Sequence, residues 1–167
     1  WNLLTIAWDG ASYQYSVNGT LAGTIHWTDG TLTGGIVTAP GMLTGTINIS
    51  DGGLGSERRL LGIYLQNSGI INWTTGSILA YALTTDVLTN LSGGLIDFKA
   101  DGAGFILGTD GTGTIINQPG GTIRKSGGST ALGTSVEWQV DFQNGSNVNV
   151  QSGTLKFTGG GTFRNGT

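Results

Sequence analysis

The residues able to do chemistry are few and poorly grouped. There is one histidine, His26, so any nucleophile–histidine–carboxylate triad would have to use it. It falls among outward polar positions, and a triad is defined by geometry rather than by the presence of its members. Sugar-cleaving enzymes need two carboxyl groups held at a set separation. Here Asp9, Asp29, Asp51, Asp101 and Asp110 all precede Gly, where turn conformation already explains them. Asp97 with Lys99 and Arg124 is the best cluster that remains, and it reads more readily as a solvated structural ion pair than as an acid–base pair. Asp29, Asp51 and Asp101 occupy similar turns, but Thr75 interrupts their column. Neither the glycine-rich calcium nonapeptide nor EF-hand spacing is present. No dinucleotide or Walker glycine loop occurs, so glycine here signals turns. The expectation is a chain without catalytic residues, metal ligands or cofactor: not an enzyme.

A second chemistry is modification. Asn18, Asn48, Asn72, Asn90, Asn144 and Asn165 each head an Asn-x-Ser/Thr sequon, the pattern that accepts N-linked glycans. With 36 Ser and Thr in 167 residues, about two sequons would fall by chance among 11 Asn. The excess marks all six as candidate glycosylation sites in a host that has the machinery. A repeat that copies its sequons passively, with neighbouring Asn side chains stacked in amide ladders, gives the same excess. Asn48 and Asn72 recur at one repeat position, where two glycans would crowd each other.

What must position these residues is an internal repeat. One phrase recurs as Gly-Thr-Ile-His-Trp (23–27), Gly-Thr-Ile-Asn-Ile (45–49), Gly-Ile-Ile-Asn-Trp (69–73), Gly-Leu-Ile-Asp-Phe (94–98), Gly-Thr-Ile-Arg-Lys (121–125) and Ser-Asn-Val-Asn-Val (146–150). The steps are 22, 24, 25, 27 and 25 residues, a period typical of solenoids, whose units must stack to bury a core. The third position is always β-branched: Ile25, Ile47, Ile71, Ile96, Ile123 and Val148. The fourth is always polar: His26, Asn48, Asn72, Asp97, Arg124 and Asn149. The fifth is Trp27, Ile49, Trp73, Phe98, Lys125 and Val150. Alternation with period two puts the third and fifth positions inside and the fourth in water. Lys125 is the exception, and the expectation there is a strand ending one residue early.

Turn residues close each phrase, among them Asp29-Gly30, Asp51-Gly52, Thr75-Gly76 and Asp101-Gly102. Second strands are expected at 35–37, 60–65, 78–80, 105–107, 136–140 and 155–157, and third strands at 87–90, 114–117 and 140–144. The fold class is therefore all-β: a single-stranded parallel β-helix, or β-solenoid, of about six rungs of 22–27 residues. Residues 1–15 fit the repeat poorly and are expected to form an atypical N-terminal rung or edge segment, with 16–167 as the solenoid domain.

Composition agrees and excludes several functions. The 32 Gly and 24 Thr suit a turn-rich coil, while 37% apolar residues argue against disorder. A net charge of −3 with 10% charged residues gives no basic footprint for nucleic acid. No apolar run approaches the roughly 20 residues of a membrane-spanning helix. Cys is absent, so stacking rather than disulfides must hold the coil. Thr is frequent enough to suggest an ice-binding face, but the column Thr24, Thr46, Ile70, Leu95, Thr122 and Asn147 is too irregular for one.

Residues 16–167 resemble the Gly/Asn/Thr-rich β-helix repeats of large secreted and cell-surface, adhesin-like proteins. The likeness rests on phrases such as Gln66-Asn67-Ser68-Gly69-Ile70-Ile71-Asn72-Trp73 and Thr89-Asn90-Leu91-Ser92-Gly93-Gly94-Leu95-Ile96-Asp97-Phe98. It implies a right-handed β-helix in an elongated extracellular molecule and carries over no site residue. Phe163-Arg164-Asn165-Gly166 copies Phe142-Gln143-Asn144-Gly145 where another rung would begin, so the chain is expected to be part of a longer or processed polypeptide. Uncapped parallel edges are expected to be covered by flanking repeats of the same chain, or by self-association into an axial homo-oligomer or filament. The leading expectation is a structural segment of an extracellular fibre, stalk or surface adhesin. The alternative is a carbohydrate-binding or carbohydrate-cleaving β-helix, which exposed Tyr13, Tyr15, Tyr64, Tyr81 or Trp138 would favour.

Overall fold

A computed structural model of the chain describes residues 3–8, 13–18, 20–21, 23–28, 31–33, 41–50, 58–61, 64–75, 77–80, 85–102, 104–107, 112–129 and 133–164. Short apolar–polar alternations between glycine-rich corners favour strands over helices, and no helix forms among these residues. The first rungs contain β1 (Leu3–Trp8), β2 (Tyr13–Asn18), β3 (Thr20–Leu21), β4 (Thr24–Trp27), β5 (Thr31–Thr33), β6 (Gly41–Leu43) and β7 (Thr46–Ile49). The central rungs contain β8 (Arg58–Leu61), β9 (Tyr64–Asn67), β10 (Ile70–Trp73), β11 (Ser77–Ala80), β12 (Thr85–Asn90), β13 (Leu95–Phe98) and β14 (Gly104–Leu107). The last contain β15 (Thr112–Asn117), β16 (Thr122–Lys125), β17 (Thr134–Val136), β18 (Gln139–Phe142), β19 (Asn147–Val150), β20 (Leu155–Phe157) and β21 (Gly161–Phe163).

Successive strands visit three walls in turn, so the chain winds as a parallel β-solenoid. The recurring phrase builds one wall of six strands, β4-β7-β10-β13-β16-β19. A second wall has seven, β3-β6-β9-β12-β15-β18-β21. The expected six rungs therefore hold for the phrase wall and not for every wall. The third wall runs β1-β2-β5-β8-β11-β14, and β17 pairs with β20 beyond it. The Glu137 amide, next to β17, donates to Phe105 O in β14 at 2.7 Å, joining the two parts. Among the described residues all pairings are parallel except β1 with β2, which is antiparallel. β2 runs through position 15 and pairs with β5 at Gln14, Tyr15 and Ser16, so the sheet itself has no break there.

The phrase columns stack in register. Ile25, Ile47, Ile71, Ile96, Ile123 and Val148 are successive partners, as are Trp27, Ile49, Trp73, Phe98, Lys125 and Val150. Ile47 to Ile123 are buried, with Trp27, Trp73 and Phe98 beside them. Trp73 packs edge-on to Phe105 at 4.7 Å and tilted against Phe98 at 5.3 Å. Val148 departs from the expected burial because no further strand covers β19. Ile71→Ala or Ile96→Ala is expected to cost about 2–5 kcal/mol, since neighbouring rungs cannot collapse into the space. Equilibrium urea unfolding measures this; a loss below 1 kcal/mol for either would contradict the buried register.

Some strand boundaries differ from the sequence expectation. The run 60–65 is divided between β8 and β9, and 136–140 between β17 and β18. At the second corner Trp138 turns into the core, and a Cβ at Gly113 would collide with its indole. The strand expected at 35–37 lies outside the described residues.

The corner leading into the phrase wall explains a glycine pair. Gly94 N donates to Leu91 O, Gly121 N to Gln118 O and Ser146 N to Gln143 O, at 2.9, 2.9 and 3.0 Å, making three equivalent turns. Gly93 and Gly120 have φ of 81° and 78°, and Pro119 precedes the latter, as a type II turn favours. The following Gly94 and Gly121 are held to glycine differently: a Cβ there would strike the side-chain oxygens of Asn90 and Asn117.

Candidate functional site

Those two asparagines belong to a row inside the coil. Asn67, Asn90 and Asn117 end β9, β12 and β15 and are fully buried. Asn67 Nδ2 donates to Asn90 Oδ1, and Asn90 Nδ2 donates to Asn117 Oδ1, both at 2.8 Å. The amides also bind corner backbone: Asn67 Oδ1 accepts from Gly69 N, and Asn90 Nδ2 donates to Gly94 O. The sequence reading missed this row. Its signal was Asn-x-x-Gly-Gly at 90–94 and 117–121, and the signal fails where Phe142 replaces Asn and Ser146 replaces the second Gly.

The structure sorts the sequons. Asn90 lies inside, and a glycan on it is incompatible with this packing. Asn48 and Asn72 face outward half-buried, with Asn72 Nδ2 donating to Asn48 Oδ1 at 2.9 Å, the amide ladder that repeat stacking implies. Asn144 is exposed at a turn. Asn18 ends β2, its side chain outside the described set, as is all of Asn165. Expression in a glycosylating host is expected to modify Asn144 and leave Asn90 bare. Glycopeptide mass spectrometry of the folded material checks this, and a glycan at Asn90 would contradict the interior row.

Asp97 and Arg124 meet across one rung, Arg124 donating to the carboxylate at 2.7 Å. The expectation of an open, solvated pair needs correction. Asp97 is fully covered, while Arg124 remains 32% exposed and forms the cover. Lys99 and His26 are exposed. Burial alone would raise the Asp97 pKa. Hydrogen bonds from Arg124 and Ser126, with the charges of Arg124 and Lys99, outweigh it and hold the carboxyl below its ordinary 3.8. A depressed folded-state pKa contributes stability above the unfolded value, which is lost as pH falls through the folded value. Acid titration of wild type and Asp97→Asn is expected to show a steeper loss below about pH 4 in the wild type. Superimposable profiles would contradict the coupling.

Lys125 is also corrected. It is the last residue of β16 rather than beyond the strand, and its side chain is fully buried. Its Nζ reaches Asp101 Oδ1 and Ala100 O, each at 3.1 Å, and donates to Gly127 O. Asp101 Oδ2 in turn accepts from Ser129 N at 3.0 Å. The ammonium bridges two corners, meeting Ala100 and Asp101 between β13 and β14 and Gly127 between β16 and β17. A carbonyl from each corner reaches it, and an ammonium with three donors satisfies them where an apolar side chain such as Trp73 or Phe98 could not. Among the described residues no group of three or more His, Cys, Asp or Glu could hold a metal ion. Asp29 and Asp51 of the turn column lie outside those residues.

The aromatic candidates divide similarly. Trp138 is in the core and is withdrawn as a sugar platform. Tyr64 is 44% exposed on a lateral wall. The side chains of Tyr13 and Tyr15, and all of Tyr81, lie outside the described set.

Among the described residues, the C-terminal rung leaves large apolar side chains exposed. Val148, Val150 and Phe163 continue buried columns yet are 44%, 49% and 68% exposed. A cavity of about 450 Å³ opens there, lined by Phe142, Val148, Phe163, Arg164 and the turn 143–146. Phe163 stacks on Phe142 at 4.6 Å, and Arg164 pairs with Asp141 at 3.0 Å, so the last rung repeats interior packing with one face uncovered. Three strand edges, β19, β20 and β21, are unpaired on that side. Comparison with protein families, curated proteins and solved structures finds no match, so the functional argument rests on this geometry.

Proposed function

We propose that this β-solenoid is a non-catalytic structural segment of an extracellular fibre, stalk or surface adhesin, stacking end to end into a rigid rod. The observation that carries the reading is the in-register stacking of like positions along the walls, which repeats one cross-section from rung to rung. Parallel strand edges are templates for further strands, and each added strand buries apolar area at about 25 cal/mol per Å². The lateral polar column supports the same reading, because its groups bind one another: Asn48 with Asn72 and Asp97 with Arg124. The excess of sequons and the resemblance to surface repeats support an extracellular setting. Carbohydrate binding keeps one supporting observation, the exposed Tyr64.

Electron microscopy of the intact native material is expected to show rods of uniform width. Incubation with acidic and neutral polysaccharides, with or without calcium, is expected to give no depolymerisation. Depolymerisation that disappears in Asp97→Asn would replace the structural reading with the carbohydrate-cleaving one.

A further inference from the structure

Lys125 and Asp101 are placed to react with one another, and we propose that they join in an intramolecular isopeptide bond, an amide between Lys125 Nζ and Asp101 Cγ. The inference goes beyond the rod reading and does not depend on it. Lys125 ends β16 and Asp101 lies in the corner after β13, so the bond ties one rung to the next. Nζ lies 3.1 Å from Asp101 Oδ1, with the lysine wholly hidden and the aspartate side chain 16% exposed. Gly128 permits the approach: a Cβ there would come within 2.6 Å of both Nζ and Asp101 Cγ and crowd both reacting atoms. In the same column stand Trp27, Ile49, Trp73, Phe98 and Val150, so only this rung of the wall places an amine at such a corner.

The surroundings supply what the condensation needs. Ala100 O and Gly127 O each accept from Nζ, which fixes the amine beside the carboxyl group. Two groups held in one geometry react without the entropy cost of an encounter. Ser129 N donates to Asp101 Oδ2 at 3.0 Å, where negative charge gathers when Nζ adds to Cγ. Separated charges are costly away from water, and a proton passing from the ammonium to Oδ1 leaves a neutral amine facing a neutral carboxyl group. The Nζ lone pair then forms the bond to Cγ. Oδ1 takes a second proton from Nζ and departs as water when the Cγ–Oδ1 bond breaks. Of the three ammonium protons, two leave on that water and one stays on the amide nitrogen; nothing is oxidised or reduced.

The product strands no polar group. The amide N–H serves Gly127 O, while Ala100 O keeps the Thr134 hydroxyl that donates to it at 3.1 Å. Oδ2 becomes the amide oxygen and retains the Ser129 N–H. In a chain without Cys, this amide is a covalent tie between rungs where no disulfide can form.

Mass spectrometry of the intact, folded 17.2 kDa chain tests the bond. The mass is expected to fall one water, about 18 Da, below that of the sequence. Trypsin is expected to release a branched species joining 100–124 to 125–156, because an acylated Lys125 is not cleaved. Lys125→Met and Asp101→Ala are each expected to keep the full mass. Full mass in the folded wild type overturns the proposal. A loss of water that persists in Lys125→Met overturns it too, since ring closure at Asp101-Gly102 would give the same change without the lysine. A loss that vanishes in Lys125→Met but yields no branched species puts the partner of Lys125 elsewhere and overturns it as well.

Discussion

Replacing Asn90 by alanine is expected to destabilise the folded solenoid by roughly 2–6 kcal/mol, because two buried groups lose their partners at about 1–3 kcal/mol each. Asn67 Nδ2 loses its 2.8 Å acceptor and keeps only Leu95 O at 3.3 Å. Asn117 Oδ1 loses the Asn90 amide that donates to it at 2.8 Å. The corner carbonyls of Gly94 and Thr122, each 3.2 Å from Asn90 Nδ2, lose a donor as well. Water cannot substitute in a column that stays packed between rungs. On the outer face, Asn72→Ala removes one half-exposed amide bond and is expected to cost about 1 kcal/mol or less. Urea unfolding of the two variants measures the difference. Equal losses would mean that the interior row is not the stronger contact.

Lys125→Ala is expected to cost roughly 3–5 kcal/mol, the range for breaking a buried ion pair by removing one partner. Alanine leaves Ala100 O and Gly127 O without their ammonium donor and opens a void in a column filled elsewhere by Trp73 and Phe98. Lys125→Met restores the volume without the charge and is expected to recover part of the loss. Thermal and urea unfolding of both variants check this. If Lys125→Met were as stable as wild type, the inward charge would contribute no stability at this corner. If Lys125→Ala were neutral, Lys125 would have to lie in solvent.

Both of these residues were misread or missed in the sequence for the same physical reason. A period-two pattern assigns a side chain to a face, but says nothing of what the backbone exposes at the end of the strand. Asn67, Asn90 and Asn117 look like polar loop residues beginning a corner, yet the corner turns inward and its amides need buried partners. Lys125 breaks an apolar column because a carbonyl of its own corner, another of the corner one rung before and the Asp101 carboxylate all meet its ammonium. Trp138 was read as the middle of one strand and stands instead at a bend between two, which decides that it points inside. Asp97 was placed correctly opposite Arg124, but the sequence could not show that the guanidinium would cover it.

The phrase at 23–27 and its five later copies determined the parallel stacking, the register and the inward Ile and aromatic columns. Stacked copies bury a core only when like positions meet, and a one-residue slip would turn every apolar side chain outward. Sequence alone also determined that Asp97 and Arg124 are neighbours, since they occupy one column one repeat apart. Only the tertiary structure decided the antiparallel β1, the interior asparagine row and the inward Lys125. These depend on where corners bend and on which backbone groups remain unpaired after winding, and such balances are struck between residues about a full repeat apart, beyond the reach of local pattern.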